Sequence, residues 1–419
     1  MKKYEEYKEV RENWISEVPK QWDLRKMKYT FDERSEKNHP DEPVLCATQS
    51  QGVIPQSLYE NRVVVVNKGF EGLKFVKVGD FVISLRSFQG GIEYAYYQGI
   101  ISSAYTILIP SEHIDEGYAR FLLKSHDYIQ LLRTCVTGIR EGQNINYEVL
   151  RKKFIPIPPV TEQKRIASFL ENKTSEIDDL VSKTEREIEL LKELKQAVIA
   201  HVVTKGLNPD VKMKDSGVSW IGEIPEHWSF VRNKNIFTGH YEEVGKRTDI
   251  PLLSLTTEGV ILRDVSTGKG KFPKDFEKYN VVYPDCIIFC LFDIDETPRT
   301  VGLNHNYGMI TNAYDVFTIN QNVVPRYITY YYLAVDNVKG LRPYYSGLRK
   351  VIQYNRFLQL KVPMPPMDEQ QEIVNYIDHK TTQIDKMIVE LTYKVEYLKQ
   401  YKQRLIADVV TGKINVQPE

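Results

Sequence analysis

Residues 154–207 read FIPIPPVTEQKRIASFLENKTSEIDDLVSKTEREIELLKELKQAVIAHVVTKGL, and residues 361–414 read KVPMPPMDEQQEIVNYIDHKTTQIDKMIVELTYKVEYLKQYKQRLIADVVTGKI. The two stretches align without a gap at an offset of 207 residues. So many matches in one register indicate an internal duplication. Identical residues coincide at Pro158-Pro159 with Pro365-Pro366, at Glu162-Gln163 with Glu369-Gln370, and at Val202-Val203-Thr204 with Val409-Val410-Thr411.

Each stretch predicts one long helix that starts after a proline-rich step. Proline favours an extended backbone and is excluded from helix interiors, so we expect the N-caps at Thr161 and Asp368. Residues 162–204 and 369–411 contain neither Pro nor Gly. At a rise of 1.5 Å per residue, each helix would be about 65 Å long. Gly206 and Gly412 are suited to end the helices in the left-handed conformation.

Mainly apolar residues recur every seven positions in both helices. This period is typical of a coiled coil, and helices with such a stripe must bury it against a partner. We expect the two helices to pack on each other as an antiparallel coiled coil with a pseudo-twofold axis. The alternatives are two separate helix bundles or a coil between two copies of the chain. The residues are Leu170, Ile177, Thr184, Leu191 and Val198 in the first helix and Ile377, Ile384, Leu391, Leu398 and Leu405 in the second.

Residues 24–110 and 230–320 contain short β-branched and aromatic runs broken by Gly, Asn, Asp and Pro, which indicates strands. Related motifs precede them, WISEVPKQW at 14–22 and WIGEIPEHW at 220–228. The charged segment 2–12 is predicted to be a frayed or helical lead-in. Helix-like stretches follow the strand-rich regions at Tyr118–Leu132 and Tyr327–Lys339.

These patterns predict an α+β protein with two globular, strand-rich domains joined by two long helices. The expected boundaries are 1–157 for the first strand-rich domain, 158–207 for the first helix, 208–364 for the second strand-rich domain, 365–414 for the second helix and 415–419 for a tail.

Composition excludes several classes of protein. The 419 residues include 56 Lys and Arg and 56 Asp and Glu, so a uniformly basic surface is absent. No apolar run approaches the ~18–20 residues that span a bilayer, and the N-terminus lacks a secretory signal pattern. The four cysteines, of which Cys286 and Cys290 lie in an apolar run, are expected to be reduced core residues. Together these features predict a cytoplasmic protein.

Catalytic signatures are missing from the sequence. It contains no G-x-x-x-x-G-K-[ST] phosphate-binding loop and no G-x-G-x-x-G after a predicted strand. The eight histidines are scattered without metal-ligand spacing. We therefore expect a chain that binds rather than catalyses, with no catalytic residue, no metal site and no cofactor of its own.

Binding residues are expected in the loops that differ between the two halves. Arg and Lys bind phosphates, Arg pairs with guanine, Gln and Asn pair with adenine, and aromatic rings stack. The alternative is that these loops are merely solvated. The candidate DNA-binding residues are Asn61, Arg62, Arg86, Ser87, Gln89, Gly90, Arg140, Gln143, Asn144, Arg263, Lys269, Lys271, Lys274, Arg299, Tyr344, Tyr345, Arg349 and Lys350.

Over about 400 residues the chain resembles the specificity (S) subunit of type I restriction–modification enzymes. The resemblance rests on the paired W-I-[GS]-E-[IV]-P-x-x-W openings, the paired P-[IM]-P-P-x-x-E-Q steps and the paired helices that end in V-V-T. It implies that each strand-rich domain is a target recognition domain for one half of a bipartite, asymmetric double-stranded DNA site. The helices would set the spacer between the half-sites.

The resemblance also implies partners. Two modification (M) subunits would bind S-adenosylmethionine and methylate adenine, and restriction (R) subunits would use ATP and Mg for translocation and cleavage. Two alternatives remain: the recognition half of another multi-subunit or fused DNA methyltransferase or nuclease, and a coiled-coil scaffold that binds no nucleic acid.

Overall fold

The computed structural model describes residues 2–60, 69–137, 144–263 and 276–416. The chain forms two compact units. The first unit comprises Met1–Glu185 together with Thr392–Glu419, and the second comprises Arg186–Leu391. Each unit therefore contains one strand-rich region and a part of both long helices.

The first unit contains fourteen described strands and the beginning of a long helix. The strands are β1 (Tyr7–Glu12), β2 (Ile15–Pro19), β3 (Asp23–Lys26), β4 (Phe31–Arg34), β5 (Leu45–Thr48), β6 (Gly52–Pro55), β7 (Lys74–Val76), β8 (Phe81–Ile83), β9 (Glu93–Tyr94), β10 (Gly99–Ile101), β11 (Thr106–Pro110), β12 (Val136–Thr137), β13 (Asn144–Ile145) and β14 (Phe154–Ile157). The helices are α1 (Ser87–Gly90), α2 (Glu116–Leu122), α3 (His126–Thr134), α4 (Tyr147–Leu150) and α5 (Val160–Lys205), of which α5 continues into the second unit.

The second unit repeats much of this order. Its strands are β15 (Met213–Asp215), β16 (Glu223–Pro225), β17 (Ser229–Arg232), β18 (Phe237–Gly239), β19 (Leu253–Thr256), β20 (Gly259–Leu262), β21 (Asn280–Val282), β22 (Ile287–Phe289), β23 (Val301–Leu303), β24 (Gly308–Ile310), β25 (Asp315–Ile319) and β26 (Lys361–Met364). Its helices are α6 (Pro325–Asn337), α7 (Tyr354–Gln359) and α8 (Met367–Val410), and α8 ends in the first unit.

Both units are built on a four-stranded antiparallel sheet. Its order is β4-β11-β8-β9 in the first unit and β18-β25-β22-β23 in the second. The strand before each long helix also pairs with an early strand, β14 with β3 and β26 with β17. These pairings bring the proline-rich step back to the start of its own unit.

One inner strand of each four-stranded sheet is buried along its whole length. Because every residue of β8 and of β22 is buried, their sequences are continuous apolar runs rather than alternating ones. The rings of Phe237, Phe289, Phe317 and Phe357 meet in the core of the second unit, with centroids 4.8–5.8 Å apart. All four cysteines are buried and unpaired.

The N-terminal segment corrects one prediction. Residues 2–12 are not helical, because β1 pairs antiparallel with β2. Tyr4 is buried, and its hydroxyl donates to Glu162 Oε1 at 2.6 Å. This tertiary contact holds a segment whose charged composition gives no local sign of a strand.

Three of the predicted helices also differ in extent from the observed ones. The helix expected over Tyr118–Leu132 is divided into α2 and α3, because the Ser125 side chain accepts from Tyr128 N and starts a new helix. The long helices begin at Val160 and Met367, immediately after the proline pairs, so the expected caps Thr161 and Asp368 lie inside the first turn.

The expected ends of the long helices are confirmed. Gly206 has φ 74° and Gly412 has φ 79°, both in the left-handed region that favours glycine. A Cβ added to Gly412 would lie 2.2 Å from Pro19 Cδ, so space as well as conformation requires glycine there.

Candidate nucleic-acid interface

The first turn of α5 is fixed to the rest of the first unit by a buried carboxylate. Trp22 Nε1 donates to Glu162 Oε1 at 3.0 Å, and Glu162 is only 2% exposed. Gln163 donates to the Pro158 carbonyl at 2.8 Å and accepts from Asp115 N at 2.7 Å. The E-Q pair of the repeated motif therefore joins the helix start to the strand-rich region.

The second unit has the same set of contacts. Trp228 Nε1 donates to Glu369 Oε1 at 3.1 Å. Gln370 donates to the Pro365 carbonyl at 3.0 Å and accepts from Val324 N at 2.9 Å. In the sequence analysis the two glutamates are only markers of the duplication, and these partners are not predicted. The signal that could have found them is the recurrence of E-Q and of the second tryptophan in both halves.

A buried tyrosine joins the strand-rich region of each unit to the end of a long helix. The Tyr118 hydroxyl lies 3.0 Å from both the Pro156 and the Val410 carbonyl oxygens. The Tyr327 hydroxyl lies 3.1 Å from the Pro363 oxygen and 3.4 Å from the Val203 oxygen. Burial raises the pKa of both phenols well above the ordinary value, so both are hydrogen-bond donors at neutral pH.

Segments of α5 and α8 lie side by side within each unit. In the first unit Lys402 Nζ contacts Asp178 at 2.6 Å and Lys399 Nζ contacts Glu185 at 2.8 Å. In the second unit Lys195 Nζ contacts Asp385 at 2.7 Å. Leu170, Ile177, Ile377, Ile384 and Leu405 are buried, and Leu191, Val198, Leu391 and Leu398 are half-buried.

The predicted residues 86–90 of the first unit lie in the connection between β8 and β9, where Arg86 precedes the short helix α1 and the other four residues form it. Arg86 and Gln89 are exposed. Ser87 is buried, and its hydroxyl accepts from Ser84 N at 2.8 Å, so it shapes the loop rather than facing solvent. Gly90 packs closely on Gln49, since an added Cβ would lie 2.9 Å from that side chain. Arg86 and Gln89 are therefore the two residues of this set that a DNA helix could reach.

Four predicted residues of the second unit cluster beside an acidic segment. Arg349 Nη2 lies 2.8 Å from Asp293 Oδ2, and Lys350 Nζ lies 3.2 Å from Asp295 Oδ2. The Tyr345 hydroxyl donates to Asp295 at 3.3 Å, while Tyr344 lies under the Arg356 guanidinium. Arg342, which the candidate set omitted, is 2.9 Å from Asp295 and lowers the pKa of that carboxyl below its ordinary value.

Arg299 lies at the edge of a cavity of about 1180 Å³ within the second unit. Its guanidinium is 4.0 Å from Asp336 and donates to the Thr257 carbonyl at 3.3 Å. Arg326 also lines the cavity and binds Asp378 at 2.7 Å. The cations of this cavity are thus held by carboxylates, so the cavity walls carry mixed charge.

Two further candidate residues, Asn144 and Arg263, lie in or next to strands. Asn144 is exposed in β13, opposite Thr137, and the half-buried Arg263 donates its backbone N–H to the Leu252 carbonyl at 2.8 Å. The others lie outside the described residues. They are Asn61, Arg62, Arg140, Gln143, Lys269, Lys271 and Lys274.

The described residues contain neither a cluster of metal ligands nor a membrane-spanning helix. Over residues 2–60, 69–137, 144–263 and 276–416, His, Cys, Asp and Glu form no group of three or more that could hold a metal ion. Within the same ranges, no helix combines the length and apolar composition needed to cross a membrane.

Comparisons with known proteins agree with this architecture. Residues 15–190 match the family model of the type I restriction modification DNA specificity domain. A putative type I restriction enzyme MjaX specificity subunit of Methanocaldococcus jannaschii is 25% identical over 326 residues, which cover 74% of this chain and 71% of that protein. The EcoKI specificity subunit of Escherichia coli is 22% identical over 352 residues, 74% of this chain and 68% of that protein.

Solved structures share the fold. The HsdS subunit from Thermoanaerobacter tengcongensis aligns with a TM-score of 0.57 at 14% identity, over 95% of this chain and 98% of that one. A chain from a study of complex assembly and conformational transition of the type I R-M system aligns with a TM-score of 0.68 at 14% identity, over 95% and 99%. Residues 15–190 thus match a type I restriction modification DNA specificity domain, and the chain is similar in sequence and in fold to type I restriction enzyme specificity subunits.

Proposed function

We propose that this chain reads a bipartite, asymmetric DNA sequence, with one half-site assigned to the strand-rich region of each unit. The observation that carries the proposal is the repetition of one sheet order and one helix junction in both units. Two copies of one scaffold with different loops suit two half-sites of different sequence, because loops vary while scaffolds persist. This proposal includes that the chain arose by internal duplication.

The exposed cations and amides of the loops supply the DNA contacts. Arg86 and Gln89 in the first unit and Arg349 in the second are exposed and have the side chains that bind guanine, adenine or phosphate. Arg349 is held by Asp293, so a phosphate or base must replace that carboxylate as its partner. The equal numbers of acidic and basic residues imply that DNA contact is local and that partner subunits share it.

The two long helices form an antiparallel coiled coil that sets the distance between the half-sites. Helix α5 has 46 residues and α8 has 44, which correspond to about 69 and 66 Å at 1.5 Å per residue. The ion pairs between the helices run in opposite chain directions, because Asp178 pairs with Lys402 and the later Glu185 pairs with the earlier Lys399. This pairing supports the antiparallel arrangement.

The outer faces of these helices dock two modification subunits. Large apolar side chains remain exposed there, including Leu190 and Leu194 on α5 and Tyr393 and Tyr397 on α8. Exposed apolar surface of this kind is typical of interaction sites. The chain itself is non-catalytic and cytoplasmic. S-adenosylmethionine belongs to the modification subunit, and ATP and Mg belong to the restriction subunits that join the complex.

The test is to sequence the methylome of a host that expresses this chain with its modification subunit. We expect one methylated, bipartite, asymmetric motif with a fixed spacer, which is absent without this chain. A methylome without such a motif contradicts the proposal. Cleavage or methylation of DNA by the isolated chain would favour a recognition half of a fused enzyme, and binding of the modification subunit without any DNA dependence would favour a scaffold.

A further inference from the structure

In the first unit, one lysine ties together three segments around a candidate recognition loop. We define loop A as residues 84–92, which connect β8 to β9 and include the short helix α1. Lys124 Nζ lies 2.7 and 2.8 Å from the two carboxylate oxygens of Glu93, the first residue of β9, directly after loop A. The same ammonium donates at 2.8 Å to the carbonyl of Gln49, in the turn between β5 and β6. The ion pair therefore fixes loop A against the turn and against the segment that follows α2.

The backbone of loop A is also held at this point. Ile92 N donates to the Leu123 carbonyl at 3.2 Å, next to Lys124. Gly91 has φ 89°, and an added Cβ would lie 2.7 Å from the Leu123 oxygen. The Glu93 carboxylate is 3% exposed, whereas Arg86 and Gln89 at the other side of the loop are exposed. The base of loop A is thus rigid and charged, and its tip is accessible.

The second unit contains a comparable arrangement built from different residues. We define loop B as residues 290–300, between β22 and β23. The Asp336 carboxylate near the end of α6 is 3% exposed, accepts from Thr300 N at 3.0 Å and binds Lys339 Nζ at 2.8 Å. Lys339 Nζ also donates to the Thr297 carbonyl at 3.1 Å. As in loop A, a buried carboxylate and a lysine bond to each other and to backbone atoms of the loop or its neighbours.

Protein stability alone does not explain why these two sites carry charged pairs. Removing two charges from water is costly, and a buried ion pair can often be replaced by apolar side chains of similar volume without loss of stability. Unlike apolar side chains, the carboxylate and the ammonium of an ion pair form directional bonds, so they fix the positions of the groups that they contact. Loops A and B lie at the same place in the sheet order, between the third strand and the edge strand, and each is bonded to the segment at the end of a following helix, α2 or α6. This position points to control of loop geometry.

We propose that Glu93 and Lys124 are positioning residues for loop A, and that Asp336 and Lys339 are positioning residues for loop B. They act on the DNA through the loops and determine how strictly each loop discriminates between bases at its own half-site. This inference rests on the proposed DNA-reading function.

The experiment uses the complex of the full chain with its modification subunit. The double variant Glu93→Gln/Lys124→Met keeps the volumes and removes both charges, which avoids leaving one buried charge unpaired. We measure methylation rates on DNA with the methylated motif and with single-base changes in each half-site. Discrimination at one half-site should fall roughly 10-fold, on the scale of one bidentate base contact, and the other half-site should be unaffected.

Three further variants make the result specific. Asp336→Asn/Lys339→Met should relax the other half-site instead. Lys124→Arg keeps a charged donor and should retain most of the discrimination. Glu6→Gln/Lys20→Met removes an exposed pair of the first unit, 2.7 Å apart, and should change neither half-site.

The outcomes separate this inference from the function beneath it. If the parent complex methylates no bipartite motif, the proposed function fails. If the parent has such a motif and the folded Glu93→Gln/Lys124→Met complex discriminates as well as the parent, the positioning role is wrong. The same conclusion follows if the variant loses thermal stability but keeps its discrimination, because the pair is then merely structural.

Discussion

At the scale of single residues, the two junction tryptophans make the same bond in different surroundings. Trp22 donates to Glu162, which is 2% exposed, whereas Trp228 donates to Glu369, whose side chain is 24% exposed and also bonds to His227 at 2.8 Å. A buried carboxylate that loses a donor has no water to replace it. The two bonds should therefore differ in their contribution to stability.

We predict that Trp22→Phe lowers the free energy of unfolding by about 1–3 kcal/mol through this lost bond, and that Trp228→Phe lowers it less. Urea denaturation followed by circular dichroism checks this, since the change of fluorophore does not affect that signal. If both variants lost the same free energy of unfolding, water would not be replacing the lost hydrogen bond at Glu369.

A second residue-scale prediction concerns pH. Burial raises the pKa of Glu93 to about 7, because desolvation outweighs the attraction of Lys124. The folded protein then holds the proton more tightly than the unfolded chain, where the ordinary value is 4.5. The contribution of this group to stability is complete below about pH 4.5 and is lost as the pH rises through about 7, by up to about 3 kcal/mol.

Glu93→Gln removes the titrating group and should remove this part of the pH dependence. We expect the free energy of unfolding of the parent, relative to the variant, to decrease between pH 5 and pH 8. Urea denaturation of both proteins over that range measures the difference. A parent curve parallel to the variant curve would show that Glu93 does not titrate in this range.

At the scale of elements, the helices were predictable because their pattern is long and periodic. Forty-three residues without Pro or Gly, an apolar heptad and a terminal glycine each indicate the same helix. The short elements were not. The break at Ser125 depends on a single capping side chain, and β1 depends on its pairing with β2. The composition of these segments alone predicts neither the break in the helix nor the pairing of the two strands.

The exposure of some candidate residues was predictable from the sequence, but their partners were not. Arg349 and Gln89 are exposed, as expected of a charged or amide residue between strands. That Ser87 is buried, that Arg349 meets Asp293 and that Glu93 meets Lys124 depends on segments far apart in sequence. Such contacts require the fold, so residue type alone does not separate a DNA-contacting side chain from one that shapes the loop.

The helices permit a direct test of the spacer. Inserting seven residues into α5 between Ile177 and Val198, and seven into α8 between Ile384 and Leu405, keeps the apolar stripe in register. Each insertion adds about 10 Å, the length of about three base pairs. We predict a methylated motif whose two half-sites are unchanged and whose spacer is about three base pairs longer.

The control for this experiment is a pair of five-residue insertions at the same positions. At 3.6 residues per turn each rotates the following part of its helix by about 140°, which turns the apolar stripe away from its partner and should reduce complex formation and methylation. Methylome sequencing reads the spacer in every case. An unchanged spacer after the seven-residue insertions would show that the helices do not set the distance.

At the scale of the whole molecule, each unit is a strand-rich region held to helix segments by a small, repeated set of bonds. In the first unit the bonds of Trp22 with Glu162 and of Tyr118 with Val410 lie at the ends of the two helices. The loops with the candidate DNA contacts take no part in them. A strand-rich region should therefore be replaceable as a whole, provided that the replacement supplies the tyrosine at position 118.

We predict that exchanging residues 24–153 for the corresponding region of a type I restriction enzyme specificity subunit changes one half of the methylated motif. The other half and the spacer should stay the same, because residues 230–360 and both helices are untouched. Exchanging residues 230–360 is the matched control and should change the opposite half. Methylomes of hosts with the modification subunit and either chimera provide the measurement. If one exchange altered both half-sites or the spacer, the two units would read DNA jointly, and one half-site could not be assigned to each.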